Sequence, residues 1–152
     1  MKFYERKLVI HAEPSIIWSI FADLKNWPDW DGGLEAVEDV GAGLVENGES
    51  TFVFSGGLKA TTTFTRVTEN QGFNWTAKSM MVRIDARFDL QPVEKGQEVT
   101  YRFGMGGVLG GIMNLFMPKT VDSDTIRDLN SLKAMAERKQ AEASKNNDSE
   151  QK

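Results

Sequence analysis

Residues 103–118, FGMGGVLGGIMNLFMP, form a glycine-rich apolar stretch that leads directly into a long helical pattern. The apolar residues of that pattern recur at helical spacing, which predicts a helix over residues 118–139; they are Val121, Ile126, Leu129, Leu132, Met135 and Ala136. A run of strand-like segments and one shorter helical segment precede the stretch. A long helix that follows antiparallel strands buries its apolar stripe by lying across the concave face of the sheet. This arrangement predicts a cavity between helix and sheet.

The segments before this stretch alternate between strand and turn signals. The predicted strands are residues 3–11, 34–40, 49–54, 58–68, 73–78, 82–90 and 99–105. In residues 82–90 apolar positions alternate with Arg83, Asp85, Arg87 and Asp89, which places those charges on a solvated outer face. Pro14 favours the start of a short helix that ends near residue 25. Short turns between the later strands indicate an antiparallel meander.

Composition excludes several classes of function. The chain has 152 residues, a net charge of −4, no cysteine and one histidine. The absence of cysteine excludes disulfides and thiolate metal sites, and a lone histidine excludes a histidine cluster. Lysine and arginine are scattered, which argues against nucleic acid as a partner. We therefore predict no metal and no cofactor.

Two segments bear on location and domain organisation. Residues 1–7 lack the apolar core of a signal peptide, and residues 103–118 are shorter than the ~20 apolar residues that span a bilayer. We expect a cytoplasmic protein without stable membrane insertion, although the apolar groups of residues 103–118 leave transient membrane contact open.

Residues 1–140 are predicted as a single domain and residues 141–152 as a disordered polar tail. The sequence is compatible with both a monomer and a homodimer.

Two motifs resemble a known family. The first motif consists of VIHAEPSIIW at residues 9–18, Asp23-Leu24, and WPDW at residues 27–30. It resembles the N-terminal signature of the START-like superfamily, in particular that of its polyketide cyclase/dehydrase and lipid-transport (SRPBCC) families. LNSLK at residues 129–133, with Glu137 following, resembles the last-helix pattern of the same families.

The resemblance implies an α+β helix-grip (START-like) fold. In this fold a curved seven-stranded antiparallel sheet wraps around a long C-terminal helix, with one or two short helices after the first strand. It also implies an elongated apolar cavity that carries or senses a hydrophobic small molecule such as a lipid, isoprenoid or polyketide.

Large apolar side chains are numerous for one small domain, and they suit a cavity that accepts a flat or greasy ligand. Each of them taken singly is also consistent with core packing. The predicted cavity lining consists of Phe21, Trp30, Phe52, Phe54, Thr62, Phe64, Trp75, Ile84, Phe88, Tyr101, Met105, Met113, Phe116, Met117 and Leu129.

The glycines of the stretch do not form a phosphate-binding loop, because their spacing is not G-x-G-x-x-G and no βαβ unit surrounds them. Two interpretations remain. Gly106, Gly107, Gly110 and Gly111 let an apolar loop move as a gate over the cavity mouth, or they serve as a flexible connector that turns the chain.

Catalytic signals are sparse, and whether the chain is an enzyme stays open. Tyr101 and Arg66 are the candidates for enolate stabilisation on inward faces, but no acid–base pair at a meaningful spacing accompanies them. Binding of a hydrophobic small molecule is the leading hypothesis. The first alternative is an enzyme of the aromatic polyketide cyclase or dehydratase type, and the second is a protein-partner-binding module.

Overall fold

The computed structural model describes the backbone of residues 1–116 and 118–150 and the side chains of residues 1–112 and 120–148. Its elements are, in chain order, β1 Lys2–Ile10, α1 Pro14–Ala22, a 3₁₀ helix Leu24–Asp29, β2 Leu34–Asp39, β3 Glu49–Phe54, β4 Leu58–Thr68, β5 Gly72–Lys78, β6 Arg83–Val93, β7 Gly96–Gly106, α2 Gly107–Phe116 and α3 Pro118–Glu150.

The strands form one seven-stranded antiparallel sheet in the order β1-β7-β6-β5-β4-β3-β2. Strands β2 to β7 are a continuous meander, and β1 pairs with β7 from Lys2 opposite Met105 to Ile10 opposite Gln97. The α+β helix-grip fold and its long C-terminal helix are confirmed.

Alternation in β6 decides which face of the sheet is covered. Ile84, Ala86 and Phe88 are buried, whereas Arg83 and Arg87 are exposed. Burial of alternate residues is the pattern of a sheet with one solvated face. The outer face carries the charges, as predicted.

Aromatic rings fill the core between the sheet and the first helical segments. The Phe21 ring lies 4.9 Å from that of Phe73 and 5.1 Å from that of Phe88. The Trp27 indole Nε1 donates to the Phe21 carbonyl over 2.9 Å, which satisfies a fully buried donor. These contacts fix the segment from α1 to residue 30 against the sheet.

Within the glycine-rich stretch, residues Gly107–Phe116 form a helix, α2, where the sequence predicts a loop. Gly107 opens α2 at φ +81°, and a Cβ at this position would lie 2.7 Å from the Met81 carbonyl oxygen. A Cβ on Gly110 would lie 2.9 Å from the Met105 carbonyl carbon. These two glycines therefore permit close backbone approach. The spacing of Val108, Leu109 and Ile112 then allows a regular helix.

Helix α3 also runs further than the sequence predicts, to Glu150 and not to about residue 139. Residues 141–145 (AEASK) include good helix formers, and these extend the helix through the segment predicted as a disordered tail. Residues 151–152 lie outside the described part of the chain. No described helix has both the length and the apolar character needed to cross a bilayer.

Helix α3 is anchored to the start of the chain. Lys133 Nζ donates to the Val9 carbonyl over 2.9 Å and to Glu137 Oε2 over 2.7 Å. The same Glu137 Oε2 accepts the His11 backbone N–H over 2.9 Å. Hydrogen bonding to both donors lowers the pKa of Glu137. The anchor holds the helix across the sheet.

Candidate functional site

A cavity of about 700 Å³ lies between the sheet and the helices α2 and α3. Strands β3 to β7 supply one wall, and the two helices supply the other. The lining residues are Asp31, Gly32, Gly33, Phe54, Ser55, Gly56, Gly57, Leu58, Trp75, Val82, Ile84, Phe103, Met105, Leu109, Ile112, Val121, Asp124, Thr125, Arg127 and Asp128.

The apolar wall follows from the alternation of the central strands. Trp75 of β5 and Ile84 of β6 are buried residues that face the cavity. The Trp75 ring stacks on the Phe54 ring with centroids 6.4 Å apart and planes 25° apart. Trp75 Nε1 is buried and has no hydrogen-bond partner among the described residues. This wall therefore offers aromatic surface and one unused N–H donor.

Polar residues gather where α3 meets the loop after the 3₁₀ helix. Asp31 is 9% exposed, and its Oδ1 accepts the Gly33 backbone N–H over 3.0 Å. Asp128 is 6% exposed, and its Oδ1 accepts the Gly32 N–H over 3.1 Å. The two carboxyl groups thus bind consecutive backbone donors of one loop.

Arg127 forms ion pairs with two of the carboxyl groups at this end of the cavity, those of Asp124 and Asp128. Its guanidinium lies 3.1 Å from Asp124 Oδ1 and 3.1 Å from Asp128 Oδ1. It also packs over Gly32, where a Cβ would lie 2.6 Å from Nη2, so that a side chain at Gly32 would displace the guanidinium. No ion pair within the described residues joins Asp31 to a cation.

Burial and charge shift the pKa of both carboxyl groups upward. Burial raises the pKa of Asp31 to about 7, and repulsion from Asp128 adds to the effect, against the opposing Gly33 hydrogen bond and Arg127. Burial also raises the pKa of Asp128, although the Gly32 N–H and Arg127 oppose this shift. A carboxyl with a pKa near neutrality can donate or accept a proton at the cavity wall.

Sequence reasoning missed both carboxyl groups. Asp31 lies 97 residues before Asp128, and only the folded chain brings the two carboxyl groups together. A signal for Asp128 existed, because Val121, Thr125, Asp128 and Leu132 recur every three to four positions and so share one face of α3. A carboxyl on the buried stripe of a helix is an uncommon feature that points to a polar site.

The predicted lining residues divide into three groups. Phe54, Trp75, Ile84 and Met105 line the cavity. The second group is buried in the core beside the cavity and does not line it; its members are Phe21, Trp30, Phe52, Thr62, Phe64, Phe88, Tyr101 and Leu129. Met113, Phe116 and Met117 lie outside the described side chains. The predicted gate glycines lie at the end of β7 (Gly106) and within α2 (Gly107, Gly110 and Gly111).

The two predicted catalytic candidates are not on the cavity wall. Tyr101 stacks on Phe88 at 4.2 Å, and burial raises its pKa well above the ordinary value. Arg66 lies on the outer face, where it donates to Asn74 over 3.2 Å and to Asp89 over 2.7 Å. The prediction that Arg66 points inward is wrong, because an irregularity in β4 between Phe64 and Arg66 shifts the alternation.

An exposed apolar patch borders the cavity on the helix side. It consists of Met80, Met81, Val108 and Ile112, and Ile112 also lines the cavity. The Leu109 N–H donates to the Met81 carbonyl over 3.1 Å, which fixes α2 against the loop between β5 and β6.

Comparison with known protein families gives one match of nearly full length. The family described as polyketide cyclase / dehydrase and lipid transport matches residues 3–137. No functionally curated protein matches the chain.

Solved structures with the same fold cover most of the chain at low identity. The hypothetical protein jhp0584 of Helicobacter pylori is 9% identical with a TM-score of 0.75, over 89% of this chain and 88% of that one. The Aha1 dimer of Colwellia psychrerythraea is 19% identical with a TM-score of 0.68, over 90% and 97%. The di-domain ARO/CYC BexL from the BE-7585A biosynthetic pathway is 16% identical with a TM-score of 0.68, over 90% of this chain and 47% of that one. At these identities the likeness shows the fold alone.

Proposed function

The chain belongs to the polyketide cyclase/dehydrase and lipid transport family, and on this premise we propose that it binds a hydrophobic small molecule in the cavity between the sheet and α3. The ligand class is a lipid, isoprenoid or polyketide, which the protein carries or senses.

The observation that carries this proposal is the cavity itself. Its volume of about 700 Å³ falls within the usual range of small-molecule sites. Its wall is mainly apolar, and burial of ligand surface contributes ~25 cal/mol per Å². Burying about 200 Å² of an apolar ligand therefore supplies ~5 kcal/mol before the costs of binding.

Helix α2 supports the prediction of a gate. It places Leu109 and Ile112 on the cavity wall, and Gly107 precedes them at a backbone conformation that few other residues adopt. Displacement of α2 about Gly107 would open the cavity on the side of the exposed apolar patch. The gate is therefore proposed as a helix that moves and not as a loop.

Native mass spectrometry of the gently purified protein tests the proposal, followed by solvent extraction of any retained molecule. We expect either a retained apolar ligand or, in the stripped protein, binding of the neutral fluorophore N-phenylnaphthylamine. The variant Leu58→Trp fills the cavity and should abolish binding, whereas Leu44→Trp alters an equally half-buried leucine away from the cavity. Binding that survives Leu58→Trp unchanged would contradict the proposed site.

A second candidate function is that of an aromatic polyketide cyclase or dehydratase. The Asp31 carboxyl on the cavity wall favours it, because acid catalysis of ring closure or loss of water needs a proton donor beside the substrate. Product analysis after incubation with a linear polyketide thioester, with Asp31→Asn as the comparison, separates catalysis from binding alone. A collapsed cavity beside an exposed apolar patch would favour the partner-binding alternative. The patch is present, but the cavity is open, so the first half of that criterion is not met.

A further inference from the structure

We propose that Asp31 recognises the polar head of the ligand, and that this head is an uncharged hydrogen-bond acceptor such as a ketone or ester carbonyl. The inference rests on the proposed function, because it names the ligand class of the same cavity.

The surroundings of Asp31 disfavour its ionised form. The side chain is almost fully buried, and among the described residues Oδ1 accepts a hydrogen bond from the Gly33 backbone N–H alone. The nearby guanidinium of Arg127 is bound to Asp124 and Asp128 instead. A buried carboxylate that no cation binds directly is costly, so the neutral acid is the main form of Asp31 below about pH 7.

The groups that face Asp31 decide which carboxyl keeps the proton. They are Asp124, Arg127 and Asp128 of α3 and Tyr101 of β7. Asp128 accepts both the Gly32 N–H and the Arg127 guanidinium, which stabilises its charge. Repulsion between the two carboxyl groups then leaves the proton on Asp31.

A protonated Asp31 presents a donor to the cavity. Its Oδ1 accepts from Gly33, so the proton resides on Oδ2. The residue lines the cavity, and this O–H therefore offers a hydrogen bond to whatever occupies that end. A ligand oxygen is the matching acceptor.

A second, independent observation points to the same chemistry. Trp75 is 2% exposed and lines the cavity, and its Nε1 lacks an acceptor among the described residues. An N–H group is a donor only. A buried donor without a partner costs free energy that a ligand acceptor recovers. The Asp31 O–H and the Trp75 N–H on the cavity wall are thus both hydrogen-bond donors that a ligand acceptor can satisfy.

The other head-group charges fit less well. A carboxylate head would be repelled by Asp124 and Asp128, which flank Arg127. An ammonium head would require Asp31 to be ionised and would leave the Trp75 N–H unsatisfied. An alkene without a polar head would leave both donors unsatisfied.

Displacement of N-phenylnaphthylamine from the full chain tests the inference, with hexyl methyl ketone, octene, octylamine and octanoate as competitors matched in carbon number. We expect the ketone to bind most tightly. Its affinity should fall roughly tenfold between about pH 6 and about pH 8, since deprotonation of Asp31 removes the donor. Asp31→Asn keeps an amide N–H as donor and an amide oxygen that accepts the Gly33 N–H, so its ketone affinity should not change with pH.

Asp39→Asn is the matched control. Asp39 Oδ1 accepts the Gly41 N–H over 2.8 Å in the same two-residue motif, but the residue is exposed and away from the cavity. This variant should keep the wild-type pH profile.

Three outcomes would overturn the inference in distinguishable ways. A ketone affinity in the wild type that is independent of pH would remove Asp31 from recognition. Tightest binding of octylamine, increasing with pH, would assign a cationic head. Failure of every competitor, octene included, together with failure of the fluorophore to bind, would overturn the proposed function itself.

Discussion

Gly32 donates its backbone N–H to Asp128 Oδ1 over 3.1 Å, which joins the loop after the 3₁₀ helix to α3 at the polar end of the cavity. The bond holds Asp128 beside Asp31, whose own Oδ1 accepts the next backbone N–H along the chain, that of Gly33. Two carboxyl groups that alone would repel each other are thereby kept together by the loop between them.

The stability of the wild type should depend on pH through Asp31. Its pKa is raised from 3.8 to about 7 on folding, so the stability that this group contributes is present below about pH 4 and is lost as pH rises through 7. Asp31→Asn lacks this titration, so its free energy of unfolding should rise relative to that of the wild type over the interval, by about 4 kcal/mol. Urea unfolding of both proteins across the interval measures the difference. A difference between the wild type and Asp31→Asn that stays constant over the interval would contradict the raised pKa of Asp31.

Asp128→Asn should lower the pKa of Asp31. The amide keeps an oxygen for the Gly32 N–H but removes the charge that raises the pKa of its neighbour. An NMR titration of the Asp31 carboxyl carbon should therefore show a midpoint closer to the ordinary aspartate value. The midpoint of ketone binding should move in the same direction. An unchanged midpoint would mean that burial alone sets the pKa of Asp31.

Trp75→Phe should weaken binding of the ketone several-fold, because loss of one neutral hydrogen bond costs ~1 kcal/mol. Trp30→Phe removes another buried indole N–H that has no acceptor in the described part of the chain, on a residue that does not line the cavity. Competition titrations with both variants compare the two positions, and thermal melts show whether both remain folded. Equal weakening by the two variants would indicate a general effect on the core.

Two glycines of α2 should respond in opposite ways to alanine. Gly107→Ala should lower the free energy of unfolding by ~1–3 kcal/mol, since φ is +81° and the Cβ would meet the Met81 carbonyl. A Cβ added at Gly111 would meet open space, so Gly111→Ala should raise the free energy of unfolding by ~0.5–1 kcal/mol. Chemical denaturation measures both changes.

The same Gly111→Ala variant tests the gate. Motion of α2 as a whole helix about Gly107 leaves Gly111 inside the moving helix, so release of N-phenylnaphthylamine in a stopped-flow experiment should keep the wild-type rate. Slower release would show that α2 bends at Gly111 and would contradict a gate that moves as one helix.

Local patterns were sufficient to predict most of the fold and little of the site. Alternation in residues 82–90 predicts β6 and its buried face, because burial on one side of a sheet imposes a period of two. The irregularity between Phe64 and Arg66 has no comparable signal in the sequence. Strict alternation along β4 therefore predicts the wrong face of the sheet for Arg66. The sequence alone predicts flexibility for the glycines of α2, whereas Gly107 and Gly110 permit close approach to Met81 and Met105, which belong to other segments of the chain.

The carboxyl pair shows the same limit. Asp31 follows an aromatic turn and Asp128 lies on a distant helix, so each has an ordinary local context. Their shared property, burial at one end of a cavity, exists only after α3 crosses the sheet. Apolar cavity residues such as Ile84 were predictable because strand periodicity acts on neighbours in sequence.

The pairing of β1 with β7 also has a consequence during synthesis of the chain. Ile10 meets its partner Gln97 only after most of the sequence has left the ribosome, at elongation rates of ~5–20 residues per second. For several seconds β1 is therefore an unpaired strand on the nascent polypeptide. Charged side chains line β1 at Lys2, Glu5, Arg6 and Lys7. Charges on an unpaired strand disfavour its association with other chains. These residues thus protect the first strand until the last one arrives.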